Sequence, residues 1–288
     1  MIGFDETLPV TRRHDIYPAI DPTAHFRAQT FTDAVVLVTG ASRGIGLEIA
    51  LHYARAGARL ALVARDQEGL DQTRGVISRE RPDAQVLTFA LDVRDGHKAE
   101  DAVNATVARF GRIDVLVANA GVLTSWDKPL SLKCPDAWWN TFEVNTRGVF
   151  NFVRPSLHLL EKTAGYIVVI SAEASHMRFP GASDYHISKH AINRLVEYIV
   201  LEHPKVKAFS VHPGVVKSDL SDGTGWEIST YDSPRLSAAS LLYLTSGRAD
   251  WLSGRYVSVN WDLAEVERDW KAKIMDQHGL VSKLHIPQ

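Results

Sequence analysis

The stretch DAVVLVTGASRGIG (33–46) decides the fold. Its first half is a short β-branched run, typical of a strand that is buried on both faces of a parallel sheet. Its second half is a glycine-rich turn. The residues that follow, IGLEIALHYARA (45–56), place Ile45, Ile49 and Tyr53 on one side of a helix. A strand, a glycine turn and a helix in this order are the phosphate-binding unit of a dinucleotide site.

The glycine turn carries the first candidate binding residues. Its glycines let the backbone approach a pyrophosphate, and the next helix offers unpaired N–H groups and a positive dipole end. The alternative is a glycine turn required only for packing. We expect this loop to bind the cofactor through Gly40, Ser42, Arg43, Gly44, Ile45 and Gly46.

The alternation of strand and helix continues along the chain. Further strands are expected in the ranges 58–64, 84–92, 112–120, 165–171, 205–214 and 255–260, and helices in 66–80, 97–109, 135–162 and 183–202. Short strands that alternate with helices require right-handed crossovers into a parallel sheet. We therefore predict one doubly wound, Rossmann-type α/β domain at 33–262. Its parallel sheet has about seven strands, and helices cover both faces.

Three segments do not follow this alternation of strands and helices. Residues 1–32 have no periodic pattern, and we expect an arm that lies across a surface. Residues 215–250 contain Gly223, Gly225 and other turn-forming residues, and a long irregular segment at the sheet edge predicts a substrate lid. Residues 263–288 form the expected C-terminal tail.

Composition excludes several classes of site. The formal net charge is −2, from 32 basic and 34 acidic residues without a basic block, so we expect no nucleic-acid partner. Cys134 is the only cysteine, which makes an internal disulfide impossible and argues against a cysteine-based zinc site. The 12 histidines form no HExxH motif, so no metal is expected.

The chain also lacks the patterns of membrane insertion. We find no uninterrupted apolar run of about 20 residues. The first residues, MIGFDETLPVTRRHDIYPAIDP, contain no apolar run long enough for a secretory signal. We expect no membrane contact and a cytoplasmic location.

The end of the second strand indicates which cofactor is bound. An acidic residue there would accept a hydrogen bond from the ribose 2′-hydroxyl of NAD. This sequence has Ala64 and then Arg65, and the glycine loop adds Arg43. Two guanidinium groups without a carboxylate suit a 2′-phosphate, which favours NADP(H) over NAD(H). The alternative is that Arg65 is a solvated residue at the start of the next helix.

The stretch SAEASHMRFPGASDYHISK (171–189) carries the candidate chemistry. Tyr185 and Lys189 are four residues apart on an expected helix and therefore share a face. A tyrosine with its ordinary pKa of about 10 transfers protons poorly at neutral pH. A nearby ammonium group and a positive nicotinamide favour the phenolate, which lowers this pKa.

In combination, these motifs resemble the short-chain dehydrogenase/reductase family over about residues 33–260. The matching motifs, in chain order, are the loop with Gly40, Gly44 and Gly46; LDV with Asp92 and Val93; NAG with Asn119, Ala120 and Gly121; EVNTRG with Asn145; Tyr185 and Lys189; and Pro213 and Gly214, followed by Val216 and Ser218. The resemblance implies that Asp92 contacts the adenine and that Asn145 orders a proton-relay water. It also implies that the Pro213–Gly214 turn closes over the nicotinamide.

The resemblance further implies the activity and the assembly. Such a protein interconverts a ketone and a secondary alcohol on a small organic molecule, with Tyr185 and Lys189 as the catalytic pair. Helices at 135–162 and 183–202 would pair between subunits, so a homodimer or homotetramer is expected. The flanks HDIYPAIDPT (14–23) and LSGRYVSVNWD (252–262) resemble uncharacterised fungal members of the family.

One position departs from the family pattern. The family places a second serine after the fifth strand, where its hydroxyl bonds the substrate oxygen. Counting forward from Gly165 and counting back thirteen residues from Tyr185 both arrive at Ala172. Ser171 is one residue earlier, and on a regular strand its side chain would point to the opposite face.

Three explanations of this departure are open. A bulge at the strand end would swing Ser171 into the site. Alternatively, Ser175, Glu173 or His176 supplies the hydrogen bond from the following loop. Otherwise the serine is absent, which would cost about 3 kcal/mol, roughly a hundredfold in rate. We take Ser171 as the provisional catalytic serine.

The remaining conspicuous side chains have simpler interpretations. We expect Trp138 and Trp139 to pack, His186 to face away from the site and His212 to bond the backbone. Trp226 and Tyr231 are candidates for contact with a hydrophobic substrate.

The function itself has two rival interpretations. Ala172 favours a relative that guides a non-redox step. The second interpretation is a protein that binds NADP(H) without turnover. The joint presence of Asn145, Tyr185 and Lys189 argues against it, because binding alone does not require all three.

Overall fold

A seven-stranded parallel sheet forms the centre of the protein. We describe it from a computed structural model that covers residue 3, residues 5–225, residues 231–284 and residue 286. The strands are β1 Val35–Thr39, β2 Arg59–Ala64, β3 Val86–Ala90, β4 Val115–Ala118, β5 Tyr166–Ile170, β6 Lys207–His212 and β7 Arg255–Ser258. Their order in the sheet is β3-β2-β1-β4-β5-β6-β7. The order reverses between β1 and β4, so the predicted doubly wound fold is confirmed.

Helices cover both faces of this sheet. They are α1 Thr23–Ala28, α2 Gly44–Arg55, α3 Gln67–Glu80, α4 Gly96–Phe110, α5 Pro135–Phe142, α6 Gly148–Thr163, α7 Ser183–Glu202, α8 Asp219–Asp222, α9 Pro234–Thr245, α10 Leu263–Glu265 and α11 Lys271–Asp276. Short 3₁₀ turns occur at Pro18–Ile20, Leu130–Leu132, Glu173–Ser175 and Asp250–Leu252. No helix in the described ranges combines the length and the apolar character needed to cross a bilayer.

Two apolar cores lie on opposite faces of the sheet. Successive side chains of a strand point to opposite faces, so Val36 and Val38 of β1 join the core under α2, α3 and α9. Val35 and Leu37 join the core under α4, α6 and α7. Because both faces are covered, the strands are apolar on both sides, as the sequence of β1 indicated.

The helix expected at 135–162 is interrupted in the structure. Between α5 and α6 the chain forms a π-helical turn, Glu143–Arg147, in which Asn145 is fully buried. A π turn inserts one extra residue into a helix and is frequent at functional sites. Sequence periodicity predicted the helical span but gave no sign of this turn.

The N-terminal arm packs against the segment that follows β7. Arg12 and Trp261 form an isolated antiparallel bridge. The Tyr17 hydroxyl accepts a hydrogen bond from the Leu263 backbone N–H at 2.8 Å and donates one to the Trp261 carbonyl oxygen at 3.2 Å. The boundaries proposed for arm, domain and tail nevertheless stay predictions.

One third of the predicted lid, the helix α9, is part of the core. The helix α9, within 215–250, is buried from Leu236 to Thr245 and packs against α2. It is enclosed on all sides, so its sequence shows no amphipathic stripe and resembled an irregular segment. For the rest of the segment, 215–233 and 246–250, the lid stays a prediction, and residues 226–230 lie outside the described part of the chain.

The contact between α2 and α9 predicts a stability effect. The hydroxyl of fully buried Tyr53 hydrogen-bonds Thr245 Oγ1 at 2.8 Å. We expect Tyr53→Phe to lower the free energy of unfolding by about 1 kcal/mol, the net value of such a bond. Urea unfolding would measure this, with Tyr198→Phe as the control because Tyr198 is 53% exposed. Equal stability of the two variants would contradict the packed α2–α9 contact.

Candidate active site

The glycine loop connects β1 to α2 and depends on glycine for steric reasons. Gly40 and Gly44 have φ values of 67° and 55°, in the left-handed region that favours glycine. A Cβ atom at Gly46 would lie 2.1 Å from the Gly40 carbonyl oxygen. A side chain at that position would therefore push the loop away from α2.

The loop is held by the turn after β4. Asn119 donates through Nδ2 to the carbonyl oxygens of Thr39 at 2.9 Å and Gly40 at 3.1 Å. The Thr39 hydroxyl in turn accepts the backbone N–H groups of Asn119 and Ala120. From α3, the Thr73 hydroxyl donates to the Ala41 carbonyl oxygen at 3.0 Å. The structure thus gives Asn119 a positioning contact that the motif alone did not specify.

The first turn of α2 fits a diphosphate. Arg43 and Gly44 are exposed, and a Cβ atom at Gly44 would meet no heavy atom within 4 Å. The space beside Gly44 is therefore open, and the N-terminus of α2 carries the positive end of the helix dipole. Ser42 and Ile45 are partly buried beside them.

Arg65 and Asp92 lie beyond the ends of neighbouring strands β2 and β3. Asp92 accepts hydrogen bonds from Arg94, at 2.7 Å from Nη2 and at 2.9 Å from the backbone N–H. The side-chain hydrogen bond from Arg94 is the main cause that lowers the pKa of Asp92, and the charge of Arg65 adds to it. Arg65 itself is exposed. Val93 packs against the first turn of α6.

The predicted catalytic pair lies on α7 and faces the turn after β4. Lys189 Nζ is 5.6 Å from the centroid of the Tyr185 ring and donates to the Ile170 carbonyl oxygen at 2.7 Å. A Cβ atom at Gly121 would lie 3.5 Å from Lys189 Nζ and 3.4 Å from Asn145 Oδ1. The structure therefore brings Lys189 and Asn145 together at Gly121.

Asn145 braces the turn after β4 against α7. Its Oδ1 accepts the Val122 backbone N–H at 2.9 Å, and its Nδ2 donates to the Val122 carbonyl oxygen and the Ser188 hydroxyl at 2.9 and 3.0 Å. The π-helical turn directs this side chain inward. Ser188 was missed by the sequence analysis because nothing in the motif marks it.

Burial shifts the pKa values of the pair in opposite directions. It raises the pKa of Tyr185 and lowers the pKa of Lys189 to about 8, because burial disfavours the charged form of each group. Lys189 donates to a backbone carbonyl rather than to the phenol. The lowered tyrosine pKa expected from the sequence thus stays a prediction for the state with a positive nicotinamide bound.

The structure does not bring Ser171 into the site by a bulge. Ala172 keeps an extended backbone, with φ −158° and ψ 154°. The Ser171 hydroxyl donates to Asn193 Oδ1 at 2.7 Å and to the Lys189 carbonyl oxygen at 3.4 Å, and the residue is 1% exposed. Ser171 as the catalytic serine stays a prediction, but the bulge on which it depended is absent.

The alternative donors after β5 also have partners elsewhere. The Ser175 hydroxyl accepts from Asn193 Nδ2 at 2.8 Å. Glu173 has its carboxylate 3.6 Å from the Arg12 guanidinium, and His176 packs edge-on against Tyr256. Among the three explanations, the described geometry favours a missing serine.

Aromatic rings that the sequence analysis did not select lie beside Tyr185. The Trp126 ring centroid is 6.3 Å from that of Tyr185, 6.2 Å from that of Phe179 and 5.5 Å from that of His186. Trp126 belongs to the segment after β4, which has no periodic pattern. The predicted substrate contact Trp226 lies outside the described residues, and Tyr231 is partly buried.

A buried ion pair fixes this segment over α7. Lys133 Nζ donates to Asp184 at 3.1 Å, and the Thr124 and Thr141 hydroxyls donate to the same carboxylate. Burial alone would raise the pKa of Asp184, but the hydrogen bonds from Thr124 and Lys133 lower it. Sequence spacing gave no sign of this pairing.

The Pro213–Gly214 turn follows β6. Gly214 has a φ of 81°, and the Ser237 hydroxyl donates to the Pro213 carbonyl oxygen at 2.5 Å. Beyond the turn Val216 is buried, and the Ser218 backbone N–H donates to the Ser221 hydroxyl at 2.8 Å.

His212, at the end of β6, differs from expectation. The predicted backbone bond is wrong, because in the described part of the chain neither ring nitrogen bonds a backbone atom, and Nε2 lies 4.0 Å from Glu173 Oε2. Burial lowers its pKa to about 4. No group of three histidine, cysteine or acidic side chains in the described part of the chain is arranged to hold a metal ion.

Comparison with known proteins identifies the family of the chain. A family model described as short chain dehydrogenase matches residues 34–226. A short chain dehydrogenase of Monascus ruber is 38% identical over 273 residues, which is 89% of this chain and 90% of that protein.

Solved structures extend the comparison. An alcohol dehydrogenase from the archaeon Thermococcus sibiricus, complexed with 5-hydroxy-NADP, is 30% identical with a TM-score of 0.70, and the match covers 78% of this chain and 95% of that one. A levodione reductase is 26% identical with a TM-score of 0.75, over 80% of this chain and 97% of that one.

The lowered pKa of Lys189 predicts a pH effect on stability. Between a pKa of about 8 in the folded protein and the ordinary 10.5, the unfolded chain binds more protons at this amine than the folded protein does. The free energy of unfolding of the wild type should therefore rise with pH, by on the order of 1 to 2 kcal/mol from pH 8 to 10, relative to Lys189→Met. Urea unfolding of both proteins would measure it. Parallel stabilities over this range would contradict the burial of a readily neutralised amine.

Proposed function

The chain belongs to the short-chain dehydrogenase family, and we propose that it is an NADP(H)-dependent oxidoreductase interconverting a ketone and a secondary alcohol. The observation that carries the proposal is the meeting of three elements at Gly121. Asn145 Oδ1 and Lys189 Nζ both approach that glycine, and Tyr185 lies one turn before Lys189 on α7. An NADP(H)-binding protein without turnover would not require this convergence.

The catalytic roles follow from these positions. Tyr185 passes the proton to or from the substrate oxygen. Lys189 holds the nicotinamide ribose and favours the phenolate, since an ammonium group stabilises a nearby negative charge. Asn145 anchors a water that relays the proton. When bound, the nicotinamide group supplies or accepts the hydride.

The residues at the carboxyl ends of the first four strands and of β6 form the proposed cofactor site. The open N-terminus of α2 fits the diphosphate. Exposed Arg65, with Arg43, supports NADP(H) over NAD(H), because a guanidinium group binds a 2′-phosphate through parallel donors. The NADP derivative bound by the related alcohol dehydrogenase is consistent with this choice.

The substrate side is proposed to be apolar. Trp126 and Phe179 provide aromatic surface near Tyr185, which suits a hydrophobic organic carbonyl compound or alcohol. Ala172 leaves the substrate oxygen with one donor fewer, so turnover should be slow for this family, by roughly a hundredfold.

The proposed assembly is a homodimer or homotetramer in the cytoplasm. Helices α5, α6 and α7 carry exposed apolar side chains, which supports pairing along them. These side chains are Trp139, Phe150, Ile187, Tyr198 and Leu201. A second subunit would remove this apolar surface from water.

A second candidate function follows from Ala172 alone. A protein that binds NADP(H) and guides a non-redox step does not need a donor at this position. The intact Tyr185–Lys189 pair argues for the oxidoreductase.

The first prediction tests the activity itself. Wild type should consume NADPH with some members of a broad ketone panel, measured by absorbance. Ala172→Ser should react faster, by up to about a hundredfold, because it restores a donor to the developing oxyanion. Tyr185→Phe should lose at least about a hundredfold in rate while retaining cofactor affinity. Turnover by Ala172→Ser alone would favour the non-redox function.

The second prediction tests the choice of cofactor. Arg65→Ala should weaken NADPH binding about tenfold and leave NADH binding nearly unchanged, because only the 2′-phosphate loses a charged partner. Titration followed by tryptophan fluorescence would measure both dissociation constants. Arg74→Ala removes the same charge from α3 and serves as the control, since Arg74 pairs with Asp71. An equal effect of Arg65→Ala on both nucleotides would contradict the 2′-phosphate contact.

A further inference from the structure

The turn after β6 is held by one buried carboxylate. Asp232 Oδ2 accepts the Val215 backbone N–H at 2.6 Å, and the Asp232 N–H donates to the Val215 carbonyl oxygen at 2.7 Å. A Cβ atom at Gly214 would lie 2.6 Å from Asp232 Oδ2. The carboxylate therefore packs directly against the glycine that gives the turn its shape.

The second oxygen of this carboxylate is bound by the N-terminal arm. His14 Nδ1 lies 2.5 Å from Asp232 Oδ1. The His14 carbonyl oxygen also accepts the Ser233 backbone N–H at 2.9 Å. Side chain and backbone of His14 thus bind the same two-residue segment.

The arm is itself anchored beside this contact. Arg13 donates from Nε and Nη2 to Asp262 Oδ2 at 2.9 and 2.6 Å. Asn260 Nδ2 donates to the Arg13 carbonyl oxygen at 2.8 Å. These bonds fix Arg13 to the segment after β7. Its neighbour His14 therefore has a defined position at Asp232.

We propose that Asp232 and His14 are positioning residues of the nicotinamide end of the cofactor site. The N-terminal arm, through His14, then helps to shape that site. The inference rests on the proposed function, in which the Pro213–Gly214 turn closes on the nicotinamide. Val215 has its backbone N–H held by Asp232, and the Asp232 side chain is 6% exposed. Loss of His14 would remove the side chain that contacts Asp232 Oδ1 and loosen the turn.

The first measurement needs no cofactor. In the protein alone, hydrogen exchange at the Val215 amide should be about tenfold faster in His14→Ala and faster still in Asp232→Ala. His14→Asn should remain near wild type, since an asparagine Nδ2 can replace the histidine Nδ1 as donor. Arg13→Ala is the matched control. It loosens the arm at Asp262 but keeps the His14 side chain, so exchange at Val215 should rise less than in His14→Ala.

The second measurement is the NADPH dissociation constant, from tryptophan fluorescence. His14→Ala should raise it by about tenfold and His14→Asn by less than twofold. The double variant His14→Ala/Asp232→Ala should be no weaker than Asp232→Ala, because the two residues act through one contact. Thermal unfolding of each variant distinguishes a local effect from a general loss of stability.

The outcomes separate this inference from the proposed function. Unchanged exchange at Val215 in His14→Ala, or equal effects of His14→Ala and Arg13→Ala, would overturn it. Faster exchange with unchanged NADPH affinity would also overturn it, because the turn would then not shape the cofactor site. If wild type binds no nicotinamide nucleotide, the proposed function fails first and the inference fails with it, whatever the exchange shows.

Discussion

The hydrogen bonds from Asn119 to the Thr39 and Gly40 carbonyl oxygens are the contact on which the site depends. Strands β1 and β4 are adjacent in the sheet, and the strand order reverses between them. The asparagine joins the turns that follow these strands and leaves no space for a side chain at Gly40 or Gly46. Fixing both turns relative to each other also fixes the distance between the N-terminus of α2 and the position where Asn145 and Lys189 meet.

Burial is the second constraint on the site. Tyr185 and Lys189 are 8% and 3% exposed, so the cost of ionising either group is high. A bound molecule that places a charge beside Tyr185 and Lys189 therefore shifts the pKa values of both side chains strongly. The same burial explains why the amide of Asn145 is bonded through both its oxygen and its nitrogen.

The sequence predicted those features of the fold that depend on local sequence patterns. Strand periodicity and the glycine loop predicted the doubly wound sheet, and the motifs identified residues that the structure brings together at Gly121. Contacts between segments distant in the chain were missed, such as Lys133 with Asp184, because neither residue lies in a recognisable pattern. The helix α9 was missed for the opposite reason, since burial on every side removes the polar face that periodicity detects. The side chain of Ser171 could not be oriented without knowing that the backbone at Ala172 stays extended.

The π-helical turn Glu143–Arg147 also acts as a phase shift between two helices. Each residue of an α-helix advances the side-chain direction by about 100°, so one inserted residue rotates everything downstream by that angle. The aromatic side chains of α5 and the apolar side chains of α6 therefore face directions that a continuous helix would not give them. Deleting a single residue here would realign α6 while removing the inward turn at Asn145. The inward position of Asn145 and the direction of the outward apolar side chains thus cannot vary independently at this point of the chain.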